Sequence, residues 1–228
     1  MGKSASPRTG PLTHLPFTVG AVLAALISIT GCADVIHEFS KSDVSATELS
    51  STLLRASDLP GWTVSAQEDS APADRAMERI KDQVCDLDAA QLSSTYISPE
   101  EDLSAWSTAE PVCGGWRAAL EVTLAAEATY RQIYQDTLAA TVAEEGIGLS
   151  DFRYQRVDLG LGEQSLVYLV TATLRGPGVT VSYESYEITQ LTDYLATSVI
   201  VEGYGRPVDR NLLLRLASVV SGRMASLG

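Results

Sequence analysis

Histidine is almost absent from this chain, and lysine is nearly so. The two histidines among 228 residues are His14 and His37, and neither lies in the region that reads as folded. A domain without histidine lacks the usual Ser-His and Cys-His nucleophile systems and the commonest zinc and haem ligands. Lysine occurs only as Lys3, Lys41 and Lys81. A Ser-Lys dyad is therefore nearly excluded, because Lys41 sits in a polar tether and Lys81 on a predicted helix surface. Basic residues number 16 against 29 acidic ones, a net charge of −13. Nucleic-acid binding, which Lys and Arg drive through phosphate contacts, is disfavoured by that balance. No apolar run has the length and flanks of a secure membrane span. Leu159-Gly160-Leu161-Gly162-Glu163 holds G-x-G without a third glycine, so it is no dinucleotide fingerprint. Glu100-Glu101-Asp102 lacks EF-hand spacing. No metal and no cofactor is expected.

What is present begins at the N-terminus. Lys3 and Arg8 supply a positive n-region, Phe17 to Thr30 an apolar h-region, and small residues lead into Cys32. This is the organisation of a secretory signal. Ile29-Thr30-Gly31-Cys32 resembles a bacterial lipobox, in which the cysteine thiol is acylated and becomes the first residue of the mature chain. The resemblance implies a signal peptide over residues 1–31 and a diacylglyceryl anchor on Cys32. It places the protein at the cell membrane, facing the extracytoplasmic side. Two acyl chains make a durable anchor where one does not. Met1-Gly2 followed by Ser6 also fits the myristoylation pattern, a weak match.

Loss of residues 1–31 removes Lys3 and Arg8 and no acid, leaving 14 basic and 29 acidic residues in a 197-residue chain, a net charge near −15. Such a surface has no electrostatic grip on anionic lipid, so the membrane partner is held through the covalent lipid at Cys32. Other partners should be neutral, apolar or cationic: a small ligand or an envelope protein. With Cys32 acylated, Cys85 and Cys113 remain as an even pair in an oxidising space. A disulfide closing the interval between them is predicted to contribute ~3–4 kcal/mol. Two thiolates without histidine make a poor zinc set.

Residues 32–44 read as the acylated cysteine and its tether, and residues 45–228 as one extracytoplasmic domain. Ser45 and Glu48 fit a capping box before Leu49, Leu53 and Leu54, and Asp58-Leu59-Pro60-Gly61 stops that helix. Trp62 to Val64 reads as a short strand start. Pro72 opens a second helix running to Cys85. Asp86 to Leu92 reads as helical, and Ser98 to Asp102 as a loop or a new helix start. A turn is expected at Gly114-Gly115, and then a strand from Trp116 to Ala126 with Leu120, Val122 and Leu124 on one face. A helix over Thr129–Glu145, with Ile133, Leu138 and Val142 on its apolar face, ends at Gly146 and Gly148. Strands are predicted at Phe152–Val157, Ser165–Leu174, Val179–Thr189 and Tyr194–Glu202, the last three as an antiparallel meander. Asn211 to Leu227 reads as a terminal helix burying Leu212, Leu216, Val219, Val220 and Met224. Helices over a mainly antiparallel sheet give an α+β domain.

The lipobox, the leucine-rich helix, Asp58-Leu59-Pro60-Gly61-Trp62, the late Leu159-Gly160-Leu161-Gly162-Glu163, a hairpin and a closing helix occur in a distinctive order. Together they resemble actinobacterial surface lipoproteins related to the extracellular sensor domain of receptor Ser/Thr kinases, without the kinase. The resemblance covers most of residues 45–228 and implies a sheet with helices and a cleft.

Carboxylates are plentiful, and a glycosidase needs only two at a suitable separation. Glu184 and Glu187 differ by an odd number, so on one strand they face opposite sides; Asp86 and Asp88 lie beside Cys85. The same alternation sends Tyr183 and Tyr186 to opposite faces. Tyr168, Tyr194 and Tyr204 complete a tyrosine-rich C-terminal region that is suited to a groove or to ordinary packing. Trp62, Trp106 and Trp116 read as core. No catalytic residue is expected. The expectation is a non-catalytic ligand-binding or sensor-like domain, with a protein-interaction module of an envelope complex and an acid-dependent envelope hydrolase as rivals.

Overall fold

In a computed structural model, residues 46–64, 92–100, 102–112 and 114–227 are described. The lipobox residues Ile29, Thr30, Gly31 and Cys32, the tether, the helix expected over 72–85, and Cys85 and Cys113 lie outside the described residues. Among the described residues, seven strands form one antiparallel sheet flanked by four α-helices. The α+β class read from the sequence holds.

The strands are β1 (Thr63–Val64), β2 (Leu92–Ile97), β3 (Leu103–Pro111), β4 (Gly148–Arg156), β5 (Ser165–Gly176), β6 (Val179–Leu191) and β7 (Leu195–Tyr204), in sheet order β1-β2-β3-β7-β6-β5-β4. The meander is one strand longer than expected, since β4 joins it. Alternation of buried side chains along much of β5 and the first half of β6, and burial on both faces of β7, dictate the strands, and short connections dictate the pairing. At β5–β6 the loop is Pro177-Gly178: proline presets φ for the first position, and Gly178 takes φ 77° at the second. On the edge strand β4 the register shifts between Ser150 and Arg153, and Asp151 adopts φ 54° there.

Two helices cover each face. On one lie α1 (Ala46–Thr52) and α4 (Arg210–Ala225), which close a core of Leu49, Leu53, Leu54, Ala105, Ile188, Val199, Val201, Leu213, Leu216 and Val220. Each fully buried leucine here contributes about 1.5–3 kcal/mol. The apolar stripe of α4 is Leu213, Leu216, Ala217, Val220 and Met224; Leu212 and Val219, expected to be buried, lie at its half-buried margins. A short 3-10 turn (Ala56–Asp58) is clamped to α4 by Arg223. Both guanidinium Nη atoms donate to the Asp58 carboxylate at 2.8 Å, and Nη1 also reaches the Leu53 carbonyl at 2.6 Å.

The opposite face carries α2 (Gly115–Ala125) and α3 (Glu127–Glu144). The strand expected from Trp116 to Ala126 is therefore corrected to a helix. Leu120, Val122 and Leu124 alternate, but Trp116, Leu120 and Leu124 also recur every four residues, and Ala119 and Thr123 bury the facing side. Leu92, the last residue of the stretch read as helical, instead opens β2, which pairs antiparallel with β3. On α3, Tyr130, Tyr134, Leu138 and Val142 form the buried stripe, with Ile133 beside it. Gly146, at φ 70°, stops the helix while the Ile147 amide donates to the Val142 carbonyl.

Candidate functional site: an open groove beside a buried layer of acids and tyrosines

Where α2, the 157–164 loop and the start of β5 meet, an open groove of about 690 Å³ crosses the surface. Leu120, Leu124 and Leu166 line it with Arg156, Asp158 and Glu163 around them, and Val167 reaches it from β5. Gly160 and Gly162 lie in the β4–β5 connection and line the same groove. The Gly160 amide donates to Asp158 Oδ1 at 2.7 Å, which holds the loop's bend. Arg156 makes no ion pair among the described residues.

Behind the groove, the α2/α3 face of the sheet is not an ordinary apolar core. Register places Trp106, Ile200, Glu187, Tyr168 and Arg156 in one row across β3, β7, β6, β5 and β4. A neighbouring row holds Ser104, Glu202, Ser185, Val170 and Tyr154. Glu110, Glu187 and Glu202 are 7%, 4% and 1% exposed, so this face has three buried carboxylates.

Glu202 is fully supplied with donors. Tyr183 Oη donates to Oε1 at 2.7 Å and Ser104 Oγ to Oε2 at 3.0 Å. Tyr134 and Tyr183 hydroxyls lie 2.6 Å apart, and because the Tyr183 proton is committed to Glu202, Tyr134 is the donor between them. Burial pushes the Glu202 carboxyl above its ordinary range despite these bonds. Rings continue the layer: Tyr154 stacks on Tyr168 at 4.7 Å, and Tyr204 lies 5.3 Å from Tyr183.

Glu187 has a different environment. It makes no hydrogen bond among the described residues, and burial together with the charge of Glu110 pushes its carboxyl up to about 7. Tyr130, on α3, feels both carboxylates, and burial first, then Glu110 and Glu187, raise its phenol well above the ordinary range. The Tyr130 hydroxyl and Trp106 Nε1 are buried without a hydrogen-bond partner among the described residues. At the groove side Tyr168 Oη donates to Glu127 Oε2 at 3.3 Å.

The sequence reading located part of this. Glu184 and Glu187 do face opposite sides: Glu184 accepts from the Val208 amide at 2.9 Å, away from Glu187. Tyr183 is in the acid layer, and Tyr186 packs half-buried on the aliphatic face, as does Tyr194. Trp106 is core, while Trp62 and Trp116 are half-buried at its edges. Asp102, at the suggested calcium segment, instead accepts from Ser98 at 3.1 Å and Arg206 at 3.3 Å across the β2–β3 turn. Asp86 and Asp88 lie outside the described residues. Missed entirely were Glu110, Glu202, Tyr130, Tyr134 and Tyr154. Their signal was present in the four-residue spacing of Tyr130, Tyr134 and Leu138 and in the alternation Ser104, Trp106, Thr108, Glu110. Among the described residues no group of three or more His, Cys, Asp or Glu is arranged to hold a metal.

No protein family, curated protein or solved structure matches this chain.

Proposed function

We propose that the chain is a lipid-anchored cell-envelope protein whose extracytoplasmic domain binds a small, largely apolar ligand without transforming it. The groove carries this reading. Its volume of about 690 Å³ falls within the range of small-molecule sites. Leucines of α2 and aliphatic residues of β5 offer an apolar bed, and Arg156, Asp158 and Glu163 offer polar contacts that orient a ligand. Attachment through Cys32 rests on the lipobox resemblance, and no helix among the described residues is long and apolar enough to cross a membrane. The hydrolase reading fits less well. Glu110 and Glu187 are 7% and 4% exposed, and a polymeric substrate has no access to carboxylates so enclosed.

The test is native mass spectrometry of protein purified gently from membranes, with Leu124→Trp and Cys32→Ala beside wild type. Wild type should retain a reproducible small-molecule mass. Leu124→Trp should fold and lose that mass, because an indole fills the groove, and Cys32→Ala should leave the membrane fraction. A clean apo mass accompanied by a co-purifying envelope protein shifts the role to an interaction module. Unchanged detergent partitioning of Cys32→Ala removes the anchor.

A further inference from the structure

The charged side chains that line the groove are not equivalent. Asp158 is committed to its own loop, where Oδ1 accepts from the Gly160 amide at 2.7 Å. Glu163 follows in the same loop, and both acids are exposed. Arg156 is the one cation lining the groove among the described residues, and its guanidinium makes no hydrogen bond or ion pair there. Register fixes where that cation stands. Arg156 on β4 lies opposite Tyr168 on β5, whose hydroxyl donates to Glu127 at the start of α3. Leu166 precedes Tyr168 by two residues on the same face of β5, and Leu120 and Leu124 precede Glu127 on α2. The guanidinium is thus at the α3 end of the groove, with the leucines on the side away from Glu127. Leu120 and Leu124 are half-buried, so each keeps apolar surface for an occupant. The loop beside them is already fixed: Val157, Leu159 and Leu161 pack on the aliphatic core, and the Val157 amide donates to the Val167 carbonyl at 2.9 Å. A site formed in advance loses less affinity to ordering.

An occupant of this groove has one cation to satisfy and an apolar strip to cover. A planar guanidinium is weakly hydrated, and its paired N–H donors match a carboxylate. Asp158 and Glu163 flank the same space and repel a second negative charge, as does the net charge of −13. That selects a monoanion over a phosphate monoester, which carries about −1.5 to −2 at neutral pH. We infer that the groove binds a long-chain monocarboxylate, a fatty-acid-type amphiphile, with its carboxylate on Arg156 and its chain along Leu124, Leu120 and Leu166. This rests on the reading of the groove as a small-molecule site and names the class of its ligand.

The experiment titrates the full chain in lipid nanodiscs with decanoate, decanol, decyl phosphate and decyltrimethylammonium by calorimetry, against nanodiscs lacking the protein. Decanoate should bind about tenfold more tightly than decanol, or better, near neutral pH. Arg156→Gln changes an exposed side chain and is expected to fold as wild type. It should bring decanoate down to the affinity of decanol and leave decanol unchanged, whereas Leu124→Trp should remove both. Decanoate labelled with ¹³C at the carboxyl should titrate at lower pH on wild type than on Arg156→Gln, because a neighbouring guanidinium favours the ionised form. Equal affinities for decanoate and decanol, or tighter binding of decyl phosphate or of the cation, overturn the carboxylate and leave the groove a small-molecule site. If none of the four probes binds, the small-molecule reading falls, and this inference with it.

Discussion

The two faces of one sheet are built on opposite principles. Beneath α1 and α4 the side chains are leucine, valine, isoleucine and alanine, and what polarity there is serves to fasten: Tyr96 donates to the Leu54 carbonyl at 3.0 Å, and Ser107 accepts from the Leu54 amide at 2.8 Å. Beneath α2 and α3 the same strands present tyrosines, a tryptophan and three buried acids. Burying aliphatic surface stabilises without conditions, whereas a buried acid costs free energy that depends on its donors and on pH. Stability is thus concentrated on one side and chemical responsiveness on the other. The groove opens on the responsive side.

The largest test of that division is Leu216→Ala on the aliphatic face, where the side chain is 0% exposed. A loss of about 3–4 kcal/mol is expected in urea unfolding. A loss under about 1 kcal/mol means that this face does not carry the fold. Next comes Arg223→Ala. Burial alone would raise the Asp58 carboxyl, but bonding to Arg223 and to the Arg55 amide outweighs this and holds it below the ordinary range. With the two side chains 20% and 10% exposed, loss of the pair should cost about 2–3 kcal/mol at pH 7, between the surface and buried cases. Because the folded carboxyl is the stronger acid, this contribution is present above the unfolded pKa and disappears as pH falls through the folded one. The variant should therefore approach wild type as pH falls below the folded carboxyl's pKa.

Glu187 predicts the opposite slope. Its folded carboxyl titrates at about 7 against a reference of 4.5, so the folded state holds the proton more tightly and stability falls as pH rises across that interval. Glu187→Gln should flatten the curve by about 2–3 kcal/mol between pH 4.5 and 7, leaving the slope of the same sign that Glu202 contributes. Urea melts at pH 5 and pH 8 check this; an unchanged slope means that Glu187 is ionised in the fold throughout. The smallest effect belongs to Tyr183→Phe, which removes one of the donors to Glu202 and should cost about 1–2 kcal/mol, more at pH 8 than at pH 5.

Legibility followed the same division. The later strands and α3 could be read because alternation and the four-residue period are strong there, and α4 was found with its stripe displaced by one position at each margin. The hairpin of β2 and β3 was not legible: Leu-Ser-Ala-Trp-Ser-Thr-Ala-Glu is short of β-branched aliphatics, and its small residues pair because the partner strand β7 buries them. For α2, Leu120 and Leu124 satisfied both periods, and tertiary packing decided between them. The acid layer was the hardest part. A glutamate in a sequence reads as solvated, and only the joining of β3, β6 and β7 encloses Glu110, Glu187 and Glu202 together. Odd spacing did correctly separate Glu184 from Glu187, because that inference needs only one strand.

The irregularity of β4 bears on how such a molecule behaves among its own kind. An outermost strand exposes unused amides and carbonyls that can recruit the corresponding strand of a neighbour. Here the register slips between Ser150 and Arg153, Asp151 turns through φ 54°, and Asp151, Arg153 and Gln155 project into water. An incoming strand would meet a kink and unlike charges instead of a straight template. Copies of the chain can thus collide along this margin without polymerising.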